Sequence, residues 1–432
     1  MRNLALHWQI LIALALATIA GMLTGTDTEI FGVNFLSIYE FIGTLFINAL
    51  KMLIVPLVAS AMINSINNIG SASGFGRLSS RTLFYYAITM VTAVLIGLVF
   101  FNLIQPGLSD GMPIGDQLGL DARAAEVAAN VKGGVGENLA SVFLSIIPEN
   151  IFVAAVNADM LALIFFSLVF GYFMSQVKNL PGETLRAFWE GVFDVMMRIT
   201  IWIMKFAPIG VFGLVAAVVA ETGLAAVVPM LVFAATVLLA LAFHMFVTLP
   251  AMLYFLGRVN PLTYYRAVAP ALLTAFSTAS SNGTLPINIQ CLEENVGVSK
   301  KVSNFVLPLG ATINMDGTAI YECVAALFLI QAFGVDLSFT TQFVVAVMAL
   351  LTAVGVAGVP AASLVAITII ITAVGLPAEA IGVLFVTDRI LDMCRTSVNV
   401  MGDGVAGTVV ARFEGEKFKV GLGDHKAAEA TE

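Results

Sequence analysis

The residues best suited to chemistry lie together near the C-terminus. The run 384–412, LFVTDRILDMCRTSVNVMGDGVAGTVVAR, holds Asp388, Arg389, Asp392, Arg395, Asn399 and Asp403 among apolar neighbours. At 100° per residue, positions 388, 392, 395, 399 and 403 fall within an arc of about 80° on a helix. One face therefore reads acid, acid, base, amide, acid. A charge near the centre of a bilayer costs about 2.5–3.5 kcal/mol on insertion scales, so such a stripe has to face a protein-lined or wet cavity. A structural Asp392–Arg395 pair holding helices together would explain two members and leave Asn399 and Asp403 without a reason.

A second polar group precedes it. PLGATINMDGTAIYE (308–322) places Asn314, Met315, Asp316, Gly317 and Thr318, poor helix formers around a glycine, inside an apolar stretch. Local unwinding there would present carbonyls, an amide oxygen and a carboxylate, a donor set suited to a hard cation such as Na⁺. Glu322 lies one turn beyond Thr318. A carboxyl group out of water favours its neutral form and can exchange protons near neutrality, which makes Glu322 a candidate proton carrier. His7, His244 and His425 have no ligand spacing, and His244 reads as a hydrogen-bonded core histidine. Cys291, Cys323 and Cys394 are too scattered for a disulfide framework or a CxxC metal site. Neither haem nor zinc is expected, and no nucleophile–base pair suggests an intramembrane enzyme.

The elements that must position these groups are membrane helices. Of 432 residues, 59% are hydrophobic and 11% charged, against about 45–50% and 25% in soluble domains. The chain is expected to be all-α and polytopic. Apolar runs fall at roughly 8–25, 36–70, 82–105, 140–175, 185–220, 224–256, 265–295, 302–334, 340–375 and 378–412. The first reads as a retained helix, since its length suits a span better than a signal peptide. Pro56 is expected to kink the second. Runs 265–295 and 340–375 are interrupted by TASSNGTLP (278–286) and AVGVAGVP (353–360). Such breaks are tolerated in a bilayer only where they line a cavity, so both are read as re-entrant hairpins whose tips meet. A net charge of −8 without a basic tract argues against nucleic acid, and no phosphate-binding glycine loop is present for ATP. Arg77, Arg81, Lys178, Arg186, Lys417 and Lys419, set against the acidic 106–139 segment, place both termini in the cytoplasm.

TASSNGTLP, LPLGATINMDGTAIYE, GVAGVPAAS and LDMCRTSVNVMGD occur in that order, with YY at 85–86 and KMLIVP at 51–56 as weaker additions. Together they resemble the glutamate/aspartate transporter family, the dicarboxylate/amino acid:cation symporters, most closely over 265–412. The resemblance implies a homotrimer of elevator-type protomers with eight transmembrane helices, two re-entrant hairpins and inverted repeats. Residues 1–71 and 136–220 (helices 1, 2, 4 and 5) would form the trimerisation scaffold. Residues 76–110 and 222–412 (helices 3, 6, 7, 8 and both hairpins) would form the transport domain, and 413–432 a disordered cytoplasmic tail.

Site roles follow from the same resemblance. Arg395 would clamp the substrate's side-chain carboxylate and Asp392 its amino group. Asn399 and Ser281 would hold the α-carboxylate, with Thr318 and Thr396 completing the pocket and the Gly358–Val359 backbone closing it. Sodium would sit among Gly310, Asn314, Asn399 and Asp403; near Thr312, Ala353, Val354 and Val356; and near Tyr86, Thr89, Asn314 and Asp316. Arg395 favours an acidic substrate, and Asp392 favours an amino acid over a C4-dicarboxylate. L-Aspartate or L-glutamate is the expected cargo. Glu322 stands where sodium-only members carry glutamine, which implies proton coupling and, less directly, potassium countertransport. No resident cofactor is expected. The departures are Ala279 and Met393, where many members have a second arginine, leaving Arg389 to serve Asp392; Met90, where a hydroxyl residue is common; and Asn282 at the hairpin tip. A C4-dicarboxylate symporter and a substrate-gated anion channel are the alternatives. The compact length suggests a prokaryotic cytoplasmic membrane.

Overall fold

The computed structural model describes residues 6–30, 32–71, 76–118, 120, 147–156, 160–223, 225, 227–335, 337–355 and 362–420. Its elements are α1 (Leu6–Thr24), α2 (Phe35–Ser71), α3 (Gly76–Ile104), α4 (Met160–Gln176), α5 (Asn179–Met204), α6 (Ala207–Thr222) and α7 (Val227–Phe243). Then follow α8 (Pro261–Thr278), α9 (Ser281–Gln290), α10 (Lys300–Ile313), α11 (Asp316–Ala332), α12 (Phe339–Gly355), α13 (Ala362–Ala373) and α14 (Phe385–Phe413). The strands among the described residues are two small antiparallel pairs, Glu29–Ile30 with Val33–Asn34 and Leu108–Ser109 with Met112–Pro113.

Two packing groups emerge. In one, α1 lies along α6, and α2 packs against α4, α5 and α6. In the other, α11 is wrapped by α3, α7, α12, α13 and α14, while α14 also meets α8, α9 and α10. Every residue from Asp316 to Ala332 is buried. A helix this apolar on all sides belongs inside a bundle, and α11 is the axis around which the polar stripe is organised.

Four stretches among the described residues are long and apolar enough to cross a membrane: Phe35–Asn64, Gly76–Ile104, Val228–Gly257 and Lys300–Ala332. The α5–α6 pair, bent by 55°, would make a fifth as one broken span. The sequence predicts one run over 185–220, but the helix stops at Lys205–Phe206 and restarts with Pro208 in its first turn. Proline suits that position because its missing N–H would have no helical partner there. By contrast α2 runs through Pro56 as a single helix, with the Ser60 hydroxyl donating to the Pro56 carbonyl. Phe41, Phe84 and Leu103 are among the large apolar side chains left exposed, as a lipid-facing surface requires.

Both interrupted runs fold as helix pairs that pack together. The first turns at Ala279, in the left-handed region at φ 50°, and extended Ser280, whose Oγ accepts the Gly283 N–H at 3.1 Å. The interruption is thus narrower than TASSNGTLP suggests, because Pro286 is carried within α9. In the second pair, α12 ends at Gly355 and α13 begins at Ala362; the expected tip residues Val356, Gly358 and Val359 lie outside the described residues.

The tail expected to be disordered from 413 is held down as far as Val420. Glu416 accepts from the Ser299 N–H and hydroxyl, the Lys419 N–H donates to Val296 and the Asn260 N–H to Val420. These partners lie more than 100 positions away in sequence, where no local pattern points to them.

Close helix approach in the first group depends on small residues, as is usual where lipid removes any hydrophobic drive between helices. A methyl at Gly171 would stand 2.6 Å from the Ile63 carbonyl, whereas one at Gly191 would meet nothing. Gly171→Val should therefore cost about 1–3 kcal/mol by overpacking. The check is the thermal unfolding midpoint in detergent, which should fall for Gly171→Val and hold or rise for Gly191→Ala.

Candidate functional site

The stripe on α14 runs antiparallel to α10–α11, and the polar groups meet at successive levels. At the lowest, Asp403 Oδ1 accepts Asn314 Nδ2 at 3.1 Å, and the Thr89 hydroxyl donates to Asn314 Oδ1 at 3.0 Å. The Tyr86 phenol donates to the Val306 carbonyl at 2.7 Å. A methyl at Gly310 would lie 2.4 Å from Asp403 Oδ1 and 2.9 Å from the Tyr86 oxygen. Glycine is what lets the carboxylate and the phenol approach this backbone.

The helix breaks where the sequence predicts unwinding. Asn314 (φ −95°, ψ 75°) and Met315 (φ −108°, ψ 63°) leave the helical region between α10 and α11. Breaking a helix strands N–H groups at the new N-terminus, and here α14 supplies the acceptor. Asn399 Oδ1 accepts from Gly317 N at 2.8 Å and Thr318 N at 3.2 Å, while its Nδ2 donates to Thr318 Oγ1 at 3.0 Å. A methyl at Gly317 would come within 2.5 Å of the Arg395 carbonyl, which explains the glycine between the two helices. Asp316, in the first turn of α11, is fully buried; its Oδ2 is 3.2 Å from His244 Nε2, and its Oδ1 has no hydrogen-bond partner among the described residues.

One level up lies a buried charge cluster. Arg395 Nη2 donates to Asp392 Oδ1 at 2.5 Å, its Nη1 is 3.9 Å from Asp388 Oδ1, and its guanidinium carbon lies 4.6 Å from the Tyr321 ring centroid. Stacking on an aromatic face and a pairing fork are what distinguish arginine from lysine at such a site. The Tyr321 hydroxyl donates to Asp388 Oδ1 at 2.9 Å. Arg389 Nη1 reaches Asp392 Oδ2 at 3.4 Å. Asp392 is thus approached by a cation on each oxygen, and Thr396 donates to its carbonyl at 2.7 Å. Arg395 Nη1 has no hydrogen-bond partner among the described residues, so the fork retains a donor.

The remaining candidates are distributed as follows. Ser281 is buried in the first turn of α9, at the tip of the first hairpin. Glu322 is buried on α11, and its Oε2 accepts the Thr352 hydroxyl of α12 at 2.7 Å, tying it to the first arm of the second hairpin. Ala353 and Val354 lie near the end of α12. Thr312 turns its hydroxyl back to the Pro308 carbonyl at 3.3 Å. Asp388 belongs to the stripe that the sequence predicts, but its pairing with Tyr321 is not expected from spacing, and His244 reads from the sequence only as a hydrogen-bonded core residue. Tyr321 sits three positions after Thr318, which was a usable signal; the partner of His244 was not visible from spacing.

The sodium:dicarboxylate symporter family profile matches residues 6–413. A proton/sodium-glutamate symport protein of Geobacillus stearothermophilus is 31% identical over 416 residues, 96% of each chain. The proton/glutamate-aspartate symporter of Escherichia coli K12 is 31% identical over 416 residues, 96% of this chain and 94% of its own. Excitatory amino acid transporter 1 of Ambystoma tigrinum is 31% identical over 455 residues, covering 94% and 83%. With near-complete coverage in each comparison, the chain belongs to the sodium:dicarboxylate symporter family.

Proposed function

We propose that this protein is a secondary active symporter that takes up L-aspartate or L-glutamate with Na⁺ and a proton across a prokaryotic cytoplasmic membrane, with both termini inside. The observation that carries the reading is the buried Arg395–Asp392 pair beside the Asn314–Met315 break. Arg395 and Asp392 pair with each other, with Arg389 also reaching Asp392. A substrate bearing both a carboxylate and an ammonium group can replace both halves: the carboxylate takes the Arg395 fork and the ammonium takes Asp392. A C4-dicarboxylate brings no cation to replace Arg395 at Asp392 Oδ1, leaving Arg389, 3.4 Å from Oδ2, to balance that carboxylate, and weakening the pairing of a buried charge is costly. The names of the relatives, which specify glutamate or aspartate, agree with this choice.

The α-carboxylate is then held by Asn399, Ser281 and the hairpin backbones, with Thr318 and Thr396 beside it and Gly358–Val359 closing the pocket. An acidic amino acid adds one net negative charge to a buried site, and sodium offsets it. The sodium positions are Gly310, Asn314, Asn399 and Asp403; Thr312, Ala353, Val354 and Val356; and Tyr86, Thr89, Asn314 and Asp316. Because ions favour only the loaded, gate-closed state, partly loaded carriers rarely cross, and the gradients are coupled. Glu322 carries the proton, and its bond to Thr352 links that proton to the second hairpin, which serves as gate.

The architecture follows: eight transmembrane helices and two re-entrant hairpins in inverted repeats. The group of α1, α2, α4, α5 and α6 acts as a trimer scaffold. The group of α3 and α7–α14 moves against it as an elevator. This assignment is supported by the internal packing of each group.

Three outcomes test the reading. Proteoliposomes given an inward sodium gradient should accumulate radiolabelled L-aspartate; accumulation on a proton gradient alone would retain the substrate and remove the sodium positions, and no accumulation under either would overturn it. Arg395→Cys should lose aspartate affinity by about 10-fold or more, as expected when a charged hydrogen bond of about 1.5–3 kcal/mol is removed, and gain serine, alanine or cysteine uptake in competition assays. Glu322→Gln should flatten the pH dependence of uptake measured from outside pH 5 to 8, since the wild-type rate falls as rising pH removes the carried proton.

A further inference from the structure

His244 and Asp316 form a fully buried pair joining α7 to the start of α11, with Nε2 3.2 Å from Oδ2. Each partner keeps one unpaired atom among the described residues, His244 Nδ1 and Asp316 Oδ1. The backbone is irregular at this point: α7 gives way to a π-helical turn over His244–Thr248, and Tyr265 donates its hydroxyl to the Met245 carbonyl in that turn. π-Turns inside helices frequently occur at functional sites. Asp316 Oδ2 lies close against the Gly402 backbone, where a methyl would stand 2.8 Å from it, so this approach requires glycine.

We infer that His244 is a positioning residue: its Nε2–H holds one oxygen of Asp316 so that the other, Oδ1, is presented to a cation. Resting on the sodium-coupled reading above, this adds a residue that touches neither cargo nor ion. The ring donates through Nε2 and leaves Nδ1 as a bare acceptor, which fits the absence of a partner there. A ligating carboxylate fixed by an outer hydrogen bond pays less ordering entropy when the ion arrives, and loss of such partners typically reduces metal affinity about 10–100-fold.

The test uses amide isosteres. Glutamine places its NH₂ near the Nε2 position and asparagine near Nδ1. Purified full-length protein without substrate is titrated with NaCl at constant ionic strength in choline chloride, and half-saturation is read from the rise in thermal midpoint. His244→Asn should raise the half-saturating sodium concentration about 10-fold or more, and His244→Gln should restore most of the loss. His244→Met, which fills the space without a donor, gives the same reading if the asparagine variant does not fold. Unchanged sodium affinity in the variants lacking the donor, or equal loss in glutamine and asparagine variants, would overturn the positioning role. A wild-type protein that sodium does not stabilise over choline would overturn the sodium-coupled reading, and this inference with it.

Discussion

The amide of Asn399 at the head of α11 is the interaction on which the rest depends. A helix interrupted inside an apolar bundle exposes N–H groups that water cannot reach, and an unsatisfied group there costs several kcal/mol. By accepting from Gly317 and Thr318 and donating to the Thr318 hydroxyl, Asn399 closes that deficit from a different helix. The break is thereby satisfied and tied to α14. Asn314 and Asp316 can then turn their polar ends inward, where a continuous helix would have kept its backbone to itself.

Charge balance sets the second constraint. Asp388, Asp392, Arg389 and Arg395 bring two negative and two positive groups into one buried cluster, with Tyr321 contributing both a ring face and a hydroxyl. No member is left facing hydrocarbon alone, which is the condition for burying ions at all. With two acids and two bases the cluster carries no net formal charge. Around it, α11 has no polar face to water, so the second packing group encloses the stripe, while glycine contacts knit α2 to α4 and α6 elsewhere.

Periodicity and composition alone reveal the membrane class, the polar stripe of α14, the Asn314–Met315 break and the two interrupted helix pairs, because each is a local pattern of residue types. The three-dimensional arrangement decides who meets whom. Thr89 bonds Asn314 across 225 positions and His244 meets Asp316 across 72. Thr352 reaches Glu322 from a different helix, and Gly310 is a glycine because Asp403 and Tyr86 converge on it. Helical spacing reports which face a side chain occupies, whereas its partner depends on how separate helices cross. That is why the stripe was legible in the sequence and its pairing was determined only by the fold.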